Sequence, residues 1–365
     1  FRDRRSPDEV TTLVSQLFLG IRLDCAKCHH HPFERWSQED FYSFAAFFAR
    51  VGRKGTGLSP PISGSEEVIM EAKSGSVSHP LTGEVLSPKP LYGAIEFTEE
   101  ELQSDYSMRG KLADWMVASD NEYFGKVMAN RVWADMMGRG LVEPVDDLRA
   151  TNPATNEPLL EALGQYFADN EYNIKKLIGV IAKSYVYSLS SEPTDRNLAD
   201  TRNYSRHYRV RLRAEVLLDA ISDITEMPNS FSAMPYGSRS NQIWTHRVSS
   251  LFLDTFGRPD PNQDPPCERT PDSTVTQILH LMNSPELHAK VTNDSNAIAK
   301  IIDNQKAEPA EVIKRIYLLC YSREPDAEEL AICQKIFDDN QEKPKNAASY
   351  ILWALMNTPE FTLKD

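Results

Sequence analysis

The sequence predicts a mainly α-helical protein with three parts: a small helical module, a short β/coil connector and a larger multi-helix domain. Three observations lead there. Ser6-Pro7-Asp8-Glu9 opens an amphipathic run in which Val10, Leu13, Val14, Leu17, Phe18 and Ile21 recur at helical spacing. Residues 51–92 are rich in Gly, Ser and Pro and carry only short extended stretches, around 67–70 and 84–86. Beyond Leu91 the apolar residues return to helical spacing, punctuated by capping residues, and keep it to the end. The resulting boundaries are 1–50, 51–95 and 96–365.

The first helix has a Ser cap, Pro at its first position and two acids at the positive end of its dipole. Gly20 weakens it locally but lets another group approach closely. Pro32 disfavours helical geometry at His31, so the helix is expected to end near His30. Ser37 with Asp40 starts a second helix, whose Phe41, Phe44, Ala45, Phe47 and Phe48 form an aromatic face. That face suits either a plain core or the wall of a porphyrin pocket.

Between these helices lies Asp24-Cys25-Ala26-Lys27-Cys28-His29-His30-His31-Pro32. It contains C-x-x-C-H, the attachment spacing for a c-type haem: each thiol adds across one vinyl group and the adjacent His ligates iron. On a helix Cys25, Cys28 and His29 would share one face. Spacing alone leaves two other readings open. The two thiolates with His29, His30 or His31 suit zinc, and the pair also suits a disulfide.

Bulk properties narrow the class. Hydrophobic residues make up 41% and charged residues 25% of 365, the balance of a globular chain. No run of eighteen apolar residues offers a membrane span. A net charge of −13 argues against non-specific nucleic-acid binding. The chain opens at Phe1 without Met or an apolar leader, and so reads as a fragment or processed chain. Cys267, Cys320 and Cys333 are too scattered for a disulfide framework, and Cys267 reads as a buried free thiol.

Cys-x-x-Cys-His-x-His-Pro-Phe, Trp36, Asp40-Phe41-Tyr42 and Ala46-Phe47-Phe48-Ala49-Arg50 together resemble the planctomycete cytochrome-associated family, envelope proteins of uncharacterised function. The match covers the C-terminal part of that family's cytochrome-like segment. Ser78-His79-Pro80-Leu81-Thr82-Gly83 resembles its His-Pro-x-Thr-Gly element. A c-type iron commonly takes a second axial His or Met, which makes His79 and then His31 the tentative second ligands. The plainer reading of His79 is a turn residue.

The helical domain carries the sharpest resemblance, in Asn130-Arg131-Val132-Trp133 and in Gly138-Arg139-Gly140-Leu141-Val142-Glu143-Pro144-Val145-Asp146-Asp147. Arg213-Ala214-Glu215, Phe256-Gly257-Arg258-Pro259 and Cys267-Glu268-Arg269 extend it, as the family's domain of unknown function. Asp146 and Asp147 are adjacent acids with Arg131, Arg139 and Arg149 at hand. They are the candidate catalytic pair, against the plainer reading of a salt-bridge network. Arg211 and Glu215 have the spacing of a helical ion pair. His280 and His288 straddle an Asn-Ser-Pro break and make a poor metal pair. Three amphipathic helices, 309–321, 326–339 and 346–357, are predicted to bury Val312, Ile316, Leu319, Leu330, Ile332, Ile336, Ile351, Leu352 and Leu355. No glycine-rich phosphate loop or nucleophile elbow is present.

These readings give the leading expectation: a periplasmic or envelope protein carrying haem c on Cys25 and Cys28, with His29 as proximal ligand. It would exchange electrons with a protein redox partner or a neighbouring cytochrome domain. The envelope location is what the resemblance and haem attachment imply. The alternative is a non-enzymatic scaffold whose Cys/His cluster binds zinc or forms a disulfide. A further one is an enzyme using the Asp146/Asp147 region.

Overall fold

The computed structural model describes residues 4–56, 66–98, 101, 107–232, 234–243, 248–259, 269, 273–305 and 308–364. Among them the chain is mainly helical, with short strand pairs, as the periodicity predicts. It divides into two compact units, Phe1–Tyr208 and Arg209–Asp365.

In the first unit α1 (Pro7–Val14) starts where expected, with the Ser6 N–H donating to the Glu9 carboxylate at 3.1 Å. It does not reach the Cys motif. One wider turn, Ser15–Leu19, follows, and Gly20 at φ +67° ends the helical path. The reason is tertiary. The Leu148 side chain packs against Gly20, where a Cβ would meet it at 2.9 Å, and the Leu148 N–H donates to the Gly20 carbonyl at 2.9 Å. Cys25 therefore sits on a separate 3₁₀ turn, Asp24–Lys27, with Cys28 as its C-terminal cap.

Helix α2 (Gln38–Ala45) is capped by Ser37 and Asp40 as predicted. Its aromatic face is core: Phe41, Phe44 and Phe47 are fully buried, and the Phe44 ring meets those of Phe47, Phe48 and Trp115 edge-on. The core that takes them includes Leu91 and, from α3 (Met108–Met116), Met108, Leu112 and Met116. This contact displaces the porphyrin-wall reading. Strands β1 (Val51–Thr56) and β2 (Glu66–Glu71) pair antiparallel, as do β3 (Val77–Ser78) and β4 (Val85–Leu86).

Helix α4 (Glu122–Met137) is capped by Asn121, whose side chain accepts from the N–H groups of Tyr123 and Phe124, and it ends at Gly138. Helix α5 (Glu157–Asp169) lies against it through glycine: a Cβ on Gly125 would stand 2.8 Å from the Gly164 carbonyl oxygen. Leu177 and Ile181 of α6 (Ile174–Ala182) join Trp133, Met137, Leu160 and Phe167 in the core below.

The second unit builds one core. Around α7 (Ala214–Thr225) lie α8 (Leu251–Thr255), α9 (Val275–Asn283), α10 (Pro285–Val291) and α11 (Ala297–Gln305). The predicted terminal helices are α12 (Pro309–Tyr321), α13 (Ala327–Asp339) and α14 (Pro344–Met356), followed by the short α15 (Pro359–Thr362). Val312, Ile316, Ile351, Leu352 and Leu355 are buried as expected, whereas Ile332 is exposed because Cys333 and Phe337 face inward on α13. β5 (Val210–Arg211) pairs with β6 (Leu363–Lys364). Arg211 thus lies on a strand, so the helical pair with Glu215 does not form. Glu215 binds Arg269 at 2.8 Å instead, while Arg211 donates to the Phe256 carbonyl.

Candidate functional site

The Cys turn is held from below by its apolar residues. Leu23 and Ala26 are fully buried, and the Ala26 N–H donates to the Leu23 carbonyl at 2.9 Å. With those two anchored inward, Cys25 and Cys28 face outward, and both are exposed free thiols. The N–H groups of Cys28 and His29 both donate to the Cys25 carbonyl at 3.2 Å, which places His29 one turn beyond Cys25. All three motif residues thus share one turn, through 3₁₀ geometry rather than a continued helix.

His29 is exposed, and its Nδ1 lies 2.7 Å from the His30 carbonyl oxygen. A carbonyl only accepts, so Nδ1 is the donor in this contact, and Nε2 takes no part in it. Ligating histidines are commonly fixed in this way by a second hydrogen bond. His31 is used differently: its backbone N–H donates to the Trp36 carbonyl at 2.8 Å, and its Nδ1 accepts from the Phe33 N–H at 3.3 Å. It is buried and closes its own loop. The His79 Nδ1 likewise accepts from the N–H groups of Leu81 and Thr82, so His79 shapes the turn before Gly83.

Four residues around the turn escaped sequence reasoning. Gln38 and Tyr42, one helical turn apart on α2, both donate to the Lys27 carbonyl, at 2.9 and 3.3 Å. The Lys27 ammonium bonds Asp8 at 2.7 Å. Burial pushes the Asp8 carboxyl up, but hydrogen bonds from Lys27 and Ser6 outweigh it and hold the group below its ordinary value; the same bond raises Lys27. The Tyr42 ring also lies 6.3 Å from that of His79, so one tyrosine touches both the Cys turn and the His79 turn. The i, i+4 spacing of Gln38 and Tyr42 was a readable signal; the carbonyl they share was not.

Zinc finds no assembled ligand set here: among the described residues no three His, Cys, Asp or Glu side chains are grouped to hold a metal ion. The free thiols of Cys25 and Cys28 likewise differ from the disulfide reading. Asp146 and Asp147 are spoken for. Asp146 binds Arg22 at 2.8 Å, Gln16 at 3.1 Å and Arg131 at 3.4 Å, and the buried Asp147 pairs with Arg149 at 2.6 Å. His280 packs edge-on against Phe252 and Phe256, and burial lowers its pKa. Cys267 and Glu268 lie outside the described residues.

The block from Asn130 to Asp147 falls within residues 108–337, which match the model of PSD1, a protein family of unknown function (DUF1553). That match spans well over half of the chain. The protein belongs to the PSD1 family. Residues 2–53, which hold the Cys turn, match a second model, PSCyt2, also a protein of unknown function (DUF1549). No curated protein and no solved structure matches. Within the PSD1 segment Asn130 pins one loop. Fully buried, it donates to the carbonyls of Val142 and Val145 and accepts from the Val142 N–H, which fixes the loop that carries Asp146. No helix among the described residues is long and apolar enough to cross a membrane.

Proposed function

We propose that this PSD1 protein carries a c-type haem on its N-terminal module and exchanges electrons with a protein partner in the cell envelope. The observation that carries the reading is the pairing of two exposed free thiols with a His29 whose Nδ1 bond leaves Nε2 as the open donor. The donor set fits: Cys25 and Cys28 would each form a thioether, and His29 Nε2 would ligate iron. A haem bound there supplies one-electron redox chemistry. The chain's own contribution is positional. Leu23 and Ala26 anchor the turn, while Gln38 and Tyr42 hold the Lys27 carbonyl between the two cysteines. His79, beside Tyr42, is the preferred second ligand, because His31 is buried in its own loop.

The test is expression with a c-type maturation system and an export signal, followed by a haem-stained denaturing gel and metal analysis. Covalent haem that is lost in Cys25→Ala and Cys28→Ala is the expected result. A colourless protein with no haem on the gel, with or without stoichiometric zinc, would overturn the reading in favour of a scaffold.

A further inference from the structure

The outer face of α6 borders a cavity of about 450 Å³, lined by Tyr166 of α5, by Gly179 and Val180, and by three lysines, Lys175, Lys176 and Lys183. None of the three ammonium groups has an ion-pair partner among the described residues. No Asp or Glu occurs from Tyr172 to Ser191, on a chain that holds 53 of them and a net charge of −13. The acids just before the helix are Asp169 and Glu171, and Gln165 donates to Asp169 at 2.7 Å.

Two features of α6 cost it stability without serving its packing. Gly179 sits inside the helix, where glycine is less favourable than alanine. A Cβ there would meet nothing within 4 Å, unlike one on Gly125, which would stand 2.8 Å from the Gly164 carbonyl oxygen. Lys175 and Lys176 stand in the first turn, at the end of the helix dipole that disfavours cations. Together they leave a bare floor with positive charge around it.

We propose that this cavity binds a small phosphorylated organic molecule, of about the size of a sugar phosphate. Its volume falls within the roughly 300–1,000 Å³ of small-molecule sites. A phosphate ester carries a charge of about −2 at neutral pH, which suits several unpaired ammonium groups better than a single carboxylate does. Lysines bind phosphate in this way, as point charges. Lys176 and Lys183, the latter at the C-terminal cap, are seven residues apart, about 10 Å along the helix axis. Gly179 lies between them, so a bound molecule has a cation at each end and bare backbone beneath. Tyr166 and Val180 offer its carbon frame an apolar wall. The inference is independent of the haem reading.

Isothermal titration calorimetry of the full chain with glucose 6-phosphate should show saturable binding, tighter for glucose 1,6-bisphosphate and absent for glucose. Inorganic phosphate, which lacks the carbon frame, should bind more weakly than either ester. Lys176→Ala and Lys183→Ala should each weaken glucose 6-phosphate by about tenfold, the usual loss for a charge-assisted hydrogen bond. Gly179→Leu is the sharper variant. Its melting temperature should hold or rise, because leucine suits a helix and the space is open, while binding is lost because the side chain fills the floor. No saturable binding of either ester in the millimolar range, or binding that Gly179→Leu leaves intact, overturns the proposal. So does attachment to phosphatidylglycerol vesicles without binding of the free esters, which would make the lysines a membrane contact.

Discussion

Asp146 and Arg22, separated by 124 residues in sequence, meet at 2.8 Å, and the pair ties the PSD1 loop to the strand of chain that leads into the Cys turn. The other Asp146 oxygen takes Gln16 and Arg131. With the carboxylate largely buried, Asp146→Asn removes a charge from two arginines. It should lower stability by about 1–3 kcal/mol, the usual range for breaking a hydrogen-bonded, partly buried pair. Urea titration reads the loss directly. If an activity is found for the protein, turnover that survives in the folded variant would remove the acid pair from the list of catalytic candidates.

Gly20→Ala should be destabilising by about 1–3 kcal/mol, from left-handed backbone strain and overpacking together. The new Cβ would meet Leu148 and Val127 at 2.9 and 3.1 Å at a residue whose φ is +67°. Thermal melts of Gly20→Ala, alone and with Leu148→Ala, check the mechanism. Measured against Leu148→Ala alone, Gly20→Ala should cost less in the double variant than in the parent chain, because the clash with Leu148 is gone while the backbone strain and the Val127 contact remain.

The thiols should separate by reactivity. Cys25 and Cys28 are exposed, whereas burial pushes the Cys320 thiol up to about 12 and also raises Cys333, which lies 3.9 Å from the Tyr317 hydroxyl. At neutral pH the thiolate is the reactive form. Mass spectrometry after brief alkylation of the haem-free protein should therefore find Cys25 and Cys28 modified at least about tenfold faster than Cys320 or Cys333. Equal rates would contradict the burial of the last two.

Acid should weaken the second unit through Glu329. Hydrogen bonds from Arg323 are the main cause that brings its carboxyl down to about 2, against an ordinary 4.5. A folded-state value below the unfolded one means that the stabilisation is present above pH 4.5 and is lost as pH falls through 2. Both side chains are partly exposed, so the effect is a modest one. The melting temperature should fall less steeply over that window in Glu329→Gln than in the parent chain.

What the sequence disclosed was local, and what it withheld was long-range. The caps at Ser6 and Ser37 and the terminal helices are readable because each signal lies within a few residues of its effect. The break at Gly20 was not, because Leu148 causes it from far along the chain. The α2 aromatics were ambiguous for the same reason: the residues that bury them, Leu91 and Met108 to Met116, come from beyond the connector. Glu215 was assigned the nearby Arg211, and its partner proved to be Arg269, 54 residues away. At the site, C-x-x-C-H was legible as a group, while the state of each histidine depends on backbone carbonyls and N–H groups that no motif encodes.

The shared core under α2 bears on how such proteins can be assembled in evolution. Residues 2–53 form one unit of resemblance, yet the core of their phenylalanines is completed by Leu91, Met108, Leu112 and Met116 from outside that stretch. A gene segment encoding that stretch alone, transplanted into another protein, would arrive with Phe44 lacking its Trp115 neighbour and Arg22 lacking Asp146. The heritable cassette must therefore extend through α4 and its following loop. The Cys turn and the start of the PSD1 segment are expected to travel through genomes as a pair.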